Sequence, residues 1–202
     1  MARTPKGEED RREQIMDAAL RVFARKGFDR ASNKDIAREA GITPGLIYHY
    51  FASKDALLQA TIQARSPVQT VRTFPREMWE LPLEKVLRLM LTQVLATVED
   101  ENFLQLLRVY LSELLHNPKA SALGIPAIQE GTKYLEDYLR AKMKRREIRK
   151  TDPALAAQLI LGSIMDIVLR RQILQDPVML AYSHEQIVDA SVELALEGLL
   201  PS

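Results

Sequence analysis

Apolar residues recur at helical spacing along most of this chain. In the stretch EEDRREQIMDAALRVFARKG, Ile15, Ala18, Ala19, Val22 and Phe23 fall at i, i+3, i+4, i+7 and i+8, the signature of one buried helix face. Acidic Glu8, Glu9 and Asp10 stand at its start and basic Arg25 and Lys26 at its end, as the helix dipole favours, and Gly27 stops it. In ASNKDIAREAG, Ser32 is a good N-cap with Asp35 three residues on, Ile36, Ala37 and Ala40 give a short apolar face, and Gly41 ends the helix. ITPGLIYHYF then offers Thr43 as cap and Pro44 as first helical residue, which predicts a second short helix over 45–50. A fourth, amphipathic helix opens at the cap Ser53. Two short helices joined by a glycine turn and flanked by longer ones are the arithmetic of a helix-turn-helix.

Beyond Ala64 the pattern loosens. RSPVQTVRTFPREMWELP has three prolines and reads as a connector with one or two helical turns. Helices are predicted at about 83–99, 102–116, 126–148, 153–175 and 184–199, broken at stretches of proline and polar turn residues. Asp152 before Pro153 and Ser183 with Gln186 supply caps. Nothing alternates as a strand does, so the expected fold class is all-α.

Composition narrows the functional classes. With no cysteine, disulfides, thiolate catalysis and Cys-ligated zinc are excluded. No His/Asp/Glu cluster has metal spacing, and no nucleophile motif or phosphate-cradling loop occurs, so no catalytic residue, metal or cofactor is expected. The apolar run PALAAQLILGSIMDIVL contains Gln158 and Asp166 and falls short of the ~20 residues of a membrane span. The polar start lacks a secretory signal, so the expectation is a cytoplasmic protein with no membrane partner. Residues 1–65 hold 12 Lys and Arg against 9 Asp and Glu, and the remainder 16 against 18, which places the basic excess beside the helix-turn-helix. The run RAKMKRREIRK at 140–150 is better explained by a helix C-terminus than by a second nucleic-acid surface.

The constellation AALRVFARKGFDRASNKDIAREAGITPGLIYHYFASKDALLQA resembles the DNA-binding domain of the TetR family of bacterial transcriptional regulators. The match covers roughly residues 10–60. It implies an N-terminal three-helix helix-turn-helix DNA-binding domain, residues 1–64, and an all-helical ligand-binding and dimerisation domain, residues 65–202. The partners implied are a double-stranded DNA operator, a second copy through helices 153–175 and 184–199, and an unknown small-molecule effector that releases a repressor from a pseudo-palindromic site. Residues 43–49 take the recognition role, with Tyr48 and His49 facing DNA and Ile47 and Phe51 packing against Val22, Phe23 and Ile36; Tyr50 is assigned to packing. The DNA-binding candidates are Ser32, Asn33, Lys34, Arg38, Thr43, Pro44, Gly45, Leu46, Tyr48, His49 and Lys54. Tyr48 suits a phosphate, and Lys54 supplies a charge and nearby backbone N–H groups. Thr43 caps its helix, touches DNA, or both; Gly45 allows close approach.

Ten residues are candidates to line an effector cavity: Phe74, Met78, Trp79, Met90, Val94, Phe103, Leu107, Tyr110, Met165 and Asp166. As a set they are equally readable as plain core. Asp166, a carboxylate within an apolar helix, needs a partner, either Arg170 or a polar or cationic ligand. The competing reading is a helical protein-interaction module or a regulator with no small ligand, which predicts a filled core across 67–180 instead of a cavity.

Overall fold

The computed structural model describes residues 6–66, 74–117 and 120–200. Among them every regular element is helical: α1 Lys6–Lys26, α2 Asn33–Ala40, α3 Pro44–Tyr50, α4 Lys54–Arg65, a 3-10 turn Arg76–Glu80, α5 Leu83–Val98, α6 Glu101–His116, α7 Ser121–Lys144, α8 Pro153–Val168, a π turn Leu169–Ile173, α9 Pro177–Leu180 and α10 His184–Leu199. They pack as two units. The first comprises residues 1–65 with 101–126, the second 66–100 with 127–202. The packing unit is thus larger than the stretch 1–64 that the sequence marks off, because α6 lies against α1 and α4.

In the first unit the face of α1 is buried as its spacing requires: Ile15, Ala18, Ala19, Val22 and Phe23 are each at most 1% exposed. Gly27 closes the helix at φ 81°, its N–H donating to Phe23 O at 2.8 Å. The capping box of α2 is formed in full, and Gly41 ends it in the left-handed region at φ 65°. Ser53 caps α4 by accepting from Ala56 N. Around this core run cross-ties that spacing alone does not show. Arg65 reaches both Glu13 and Asp17 at 2.6 Å, Arg21 and Arg25 share Glu39, and Gln14 donates to Ala40 O.

Helix α7 starts five residues earlier than its pattern predicts and carries Pro126 inside it. Proline forfeits one backbone hydrogen bond there. Buried Ala120 and Gly124 before it and buried Ala127 after it hold the helix together regardless. Tyr110 of α6 fills the space a side chain at Gly124 would need: an added Cβ would fall inside the contact radius of the Tyr110 ring and hydroxyl. Gly124→Ala should therefore overpack this junction and lower stability by about 1–3 kcal/mol, to be read as a fall in denaturation midpoint. Removing the obstructing ring in a Tyr110→Ala background should cancel most of that increment.

In the second unit α5 packs on α8 and α10, and α8 meets α10. Asp152 and Ser183 cap α8 and α10 as their sequences predict. Part of the basic run 140–150 is paired within the chain, while Lys144, Arg146, Arg149 and Lys150 are exposed. Lys142 is buried against Glu147, Arg145 grips Glu80 with two bonds, and Arg140 pairs with Glu136. The helical run Pro153–Ile173 lies within the helix expected at 153–175; at 21 residues it is long and apolar enough to cross a membrane by length and composition alone, which the apolar run by itself is not. On it Leu155 and Leu159 are 58% and 66% exposed, and Leu194 of α10 is 71% exposed.

Candidate nucleic-acid interface

The recognition stretch resolves into two faces. On α3, Ile47 is buried and Phe51, the residue after the helix, is buried too, so the helix is anchored from one side. The guanidinium of Arg12 lies 4.5 Å from the Phe51 ring centroid, and its Nη1 donates to Tyr50 O, which fixes the end of α3 to α1. The opposite face is open. Thr43, Pro44, Gly45, Tyr48 and His49 are exposed, Tyr48 by 61%, while Leu46 is half-buried. Tyr50 is half-buried, its ring edge-on to His49 at 5.2 Å.

Thr43 occupies the N-cap position without making a cap hydrogen bond. Of the two roles open to it, capping is the one the structure leaves unused. Gly45 has no positive φ, and a Cβ built on it would meet nothing within 4 Å. The fold itself makes no demand for glycine at this position.

From α2, Lys34 and Arg38 are exposed and Asn33 is half-buried, with an amide oxygen that is buried and has no hydrogen-bond partner among the described residues. Two of the expected contact residues have their side-chain donors engaged within the chain. The backbone N–H and the hydroxyl of Ser32 are both directed at Asp35 Oδ2, at 3.2 and 2.7 Å. Ser32 has no donor left for a phosphate oxygen, which accepts only. The ammonium of Lys54 donates to Phe28 O at 2.6 Å, Asp29 O at 3.1 Å and Ala31 O at 3.1 Å, and sits 4.4 Å from the Phe28 ring centroid. An ammonium has three donors. All three close the loop between α1 and α2, so the Lys54 side chain is a clamp, and only the backbone at the start of α4 remains for an anion.

Asp35 is the hub of the α2 start. Its bond from Lys26 at 2.7 Å, and then those from Ser32, hold its carboxyl well below the ordinary aspartate value of 3.8. A depressed carboxylate stabilises the fold above its unfolded-state value and loses that contribution as pH falls through the folded one. Wild type should thus hold this contribution above about pH 4 and shed it only in stronger acid, whereas Asp35→Asn should lack it throughout. Denaturation midpoints followed against pH would show the two curves converging in acid.

The ten candidate lining residues divide between the two units. Phe103, Leu107 and Tyr110 belong to the first unit and the others to the second. Tyr110 is spent on Gly124 and on Ser121 O at 3.4 Å. Met90 and Val94 are buried core. Met165 and Asp166 are exposed in the single chain. Arg170 pairs with Asp176, Nε to Oδ2 at 2.8 Å. What does assemble is Phe74 and Trp79 with two residues that spacing did not single out, Tyr134 and Tyr138 of α7. Their i, i+4 spacing was the available signal. An open groove of about 550 Å³ lies elsewhere in the unit, lined by Arg88, Asp189, Val192 and Leu196 among others, and none of the ten lines it.

Comparison with known proteins agrees with this architecture. Residues 15–61 match the model of bacterial regulatory proteins of the tetR family, and residues 85–198 match that of the AefR-like transcriptional repressor C-terminal domain. The chain is 30% identical to the HTH-type transcriptional regulator PksA of Bacillus subtilis over 132 residues, 65% of this chain and 64% of PksA. It is 47% identical to UidR of Escherichia coli over 51 residues, 25% of this chain and 26% of UidR. The matched part thus spans less than two thirds of either relative. Among solved structures, a TetR family regulator from Pseudomonas syringae superposes with a TM-score of 0.74 at 22% identity, covering 96% of this chain and 98% of that one. FadR of Bacillus subtilis, solved with stearoyl-CoA, gives 0.74 at 23% identity over 92% and 98%. With its C-terminal model alone matched over more than half the chain, the protein belongs to the TetR family of bacterial regulatory proteins.

Proposed function

We propose that this chain is a homodimeric, operator-binding transcriptional repressor that a small-molecule effector releases from DNA. The observation that carries the reading is the exposed face of α3, where Thr43, Pro44, Gly45, Tyr48 and His49 stand clear on a helix locked from behind by Ile47 and Phe51. A short helix anchored on one side and open on the other is what major-groove docking requires. Lys34 and Arg38 flank it with free charge, Asn33 sits at the start of α2, and the backbone N–H groups opening α4 at Lys54 face a phosphate in this arrangement. The absence of Arg, Asn and Gln from α3 shifts specificity toward apolar contacts from Pro44 and Leu46, His49, Arg38 and the shape of the DNA.

Dimerisation is supported by α8 and α10. Leu155, Leu159 and Leu194 are more than half exposed in the single chain, and a second copy covering them would also account for a 21-residue apolar run left largely unburied. A C2 pair of α3 helices then reads two half-sites. Repression is supported by the match to the AefR-like transcriptional repressor C-terminal domain, and effector control by the fold shared with FadR, solved with stearoyl-CoA. An effector that binds better to the state with mis-spaced helices lowers operator affinity by its differential affinity alone. The domain division at 64/65 and action in the cytoplasm belong to the same proposal.

Gly45→Ala tests the docking geometry. The fold tolerates a methyl there, so the denaturation midpoint should hold or rise, by up to about 1 kcal/mol in stability. Operator affinity should nevertheless fall, by about tenfold if one close backbone approach is lost. Tyr48→Phe should weaken binding without altering stability, because its hydroxyl is exposed. Both are read by operator titration over a range of salt concentrations; unchanged affinity in both variants would rule out α3 as the docking helix.

A further inference from the structure

On α7, Tyr134, Tyr138 and Lys142 follow one another at i, i+4 and i+8, on one face of the helix. The 3-10 turn lays Trp79 edge-on against both tyrosines, with ring centroids 5.9 and 6.1 Å apart, and its indole N–H donates to the Tyr134 hydroxyl at 3.0 Å. Phe74 closes on Tyr134 at 6.2 Å. Two bonds from Arg145 to Glu80, at 2.7 and 2.6 Å, pin the turn to the end of α7. Inside this aromatic cluster Tyr138 is fully buried, and its hydroxyl has no hydrogen-bond partner among the described residues. Burial, first by desolvation and then through the nearby Glu147 carboxylate, pushes its pKa well above the ordinary tyrosine value, so the group stays a neutral O–H donor.

An unmatched buried hydroxyl costs stability, and the cost is recovered when an acceptor reaches it. Charge around the cluster restricts what that acceptor is. The Lys142 ammonium, 2% exposed, is already neutralised by Glu147 at 2.5 Å and lies 5.7 Å from the Tyr138 ring centroid. Arg145 is neutralised by Glu80. An anion arriving here would find its countercharges taken and would be buried uncompensated. A cation would lie beside two carboxylates that already have partners. An apolar molecule with one uncharged oxygen meets neither obstacle, and the aromatic rings suit a flat one.

We propose that Tyr138 donates its hydroxyl hydrogen to the effector, and that the effector class is a neutral, flat apolar molecule bearing a carbonyl or ether oxygen. This rests on reading the second unit as the effector-binding half. It assigns Trp79, the single tryptophan of the chain, as the reporter of occupancy.

The test uses the full-length protein and three matched probes, acetophenone, ethylbenzene and benzoate, titrated against Trp79 emission with inner-filter correction. Acetophenone is expected to saturate the signal about tenfold more tightly than the other two. Tyr138→Phe should erase that preference while leaving the melting temperature unchanged or raised, since it removes a hydroxyl that nothing pairs with. A ketone preference that survives in Tyr138→Phe, equal binding of ethylbenzene, tighter binding of benzoate, or no saturable response to acetophenone would each overturn the assignment. A lower melting temperature for Tyr138→Phe would overturn it as well, by revealing a structural role. The readout involves no DNA: selective ketone binding without any change in operator affinity would refute effector control and leave the Tyr138 site standing.

Discussion

Lys54→Met is expected to destabilise the first unit by about 2–4 kcal/mol, since one substitution strips a charged donor from three carbonyls and a cation from an aromatic face. Phe28 O, Asp29 O and Ala31 O all lie in the loop that delivers the chain from α1 to α2. Methionine keeps the length and the apolar stem, so the loss is one of hydrogen bonding and not of packing. The same variant decides what Lys54 does for DNA. Each phosphate neutralised by a cation contributes about 0.9 to the slope of log affinity against log salt. If the ammonium is a clamp, the slope for Lys54→Met matches wild type once the folded fraction is accounted for. A fall of about 0.9 with no loss of stability would return Lys54 to the phosphate-contact role that the motif suggests.

Leu159→Glu is expected to separate the dimer and cost about 100-fold or more in operator affinity, the order lost when two linked half-site contacts become independent. Leu159 is 66% exposed within one chain, so the protomer's own stability should change by less than about 0.5 kcal/mol. In a two-fold interface each substitution acts twice, placing two carboxylates on the apolar face. Sedimentation should show a monomer whose helix content is unchanged. A dimer persisting in Leu159→Glu would move the interface away from α8.

These two residues also mark the reach of the sequence. The four N-terminal helices were legible residue by residue because everything that defines them is local: the 3.6-residue spacing of Ile15 to Phe23, the Ser32–Asp35 box, the left-handed glycines 27 and 41, and Pro44 at the first position of α3. The roles of Ser32 and Lys54 were not legible. Their donors go to groups whose position depends on how the loop 27–32 folds back, and a motif records the residue type without its partner. Asp166 shows the same limit from the other side. An acid in an apolar helix suggests a buried charge only if the apolar face is interior, and in the single chain α8 turns that face outward. Nothing in the sequence distinguishes Tyr138 from other tyrosines until Trp79 is brought beside it from some sixty residues away. Pro126 misplaced the start of α7, because burial on both sides outweighed a local breaking signal.

The central claim is that two copies of α3 read a two-fold DNA site. Selection of fragments from a random double-stranded library by the purified full-length protein, at physiological salt, tests it most directly. The account predicts enrichment of an imperfect palindrome with half-sites centred about one helical turn, roughly 10 base pairs, or a multiple of it apart. Enrichment of no motif, or of one without two-fold symmetry, would contradict it.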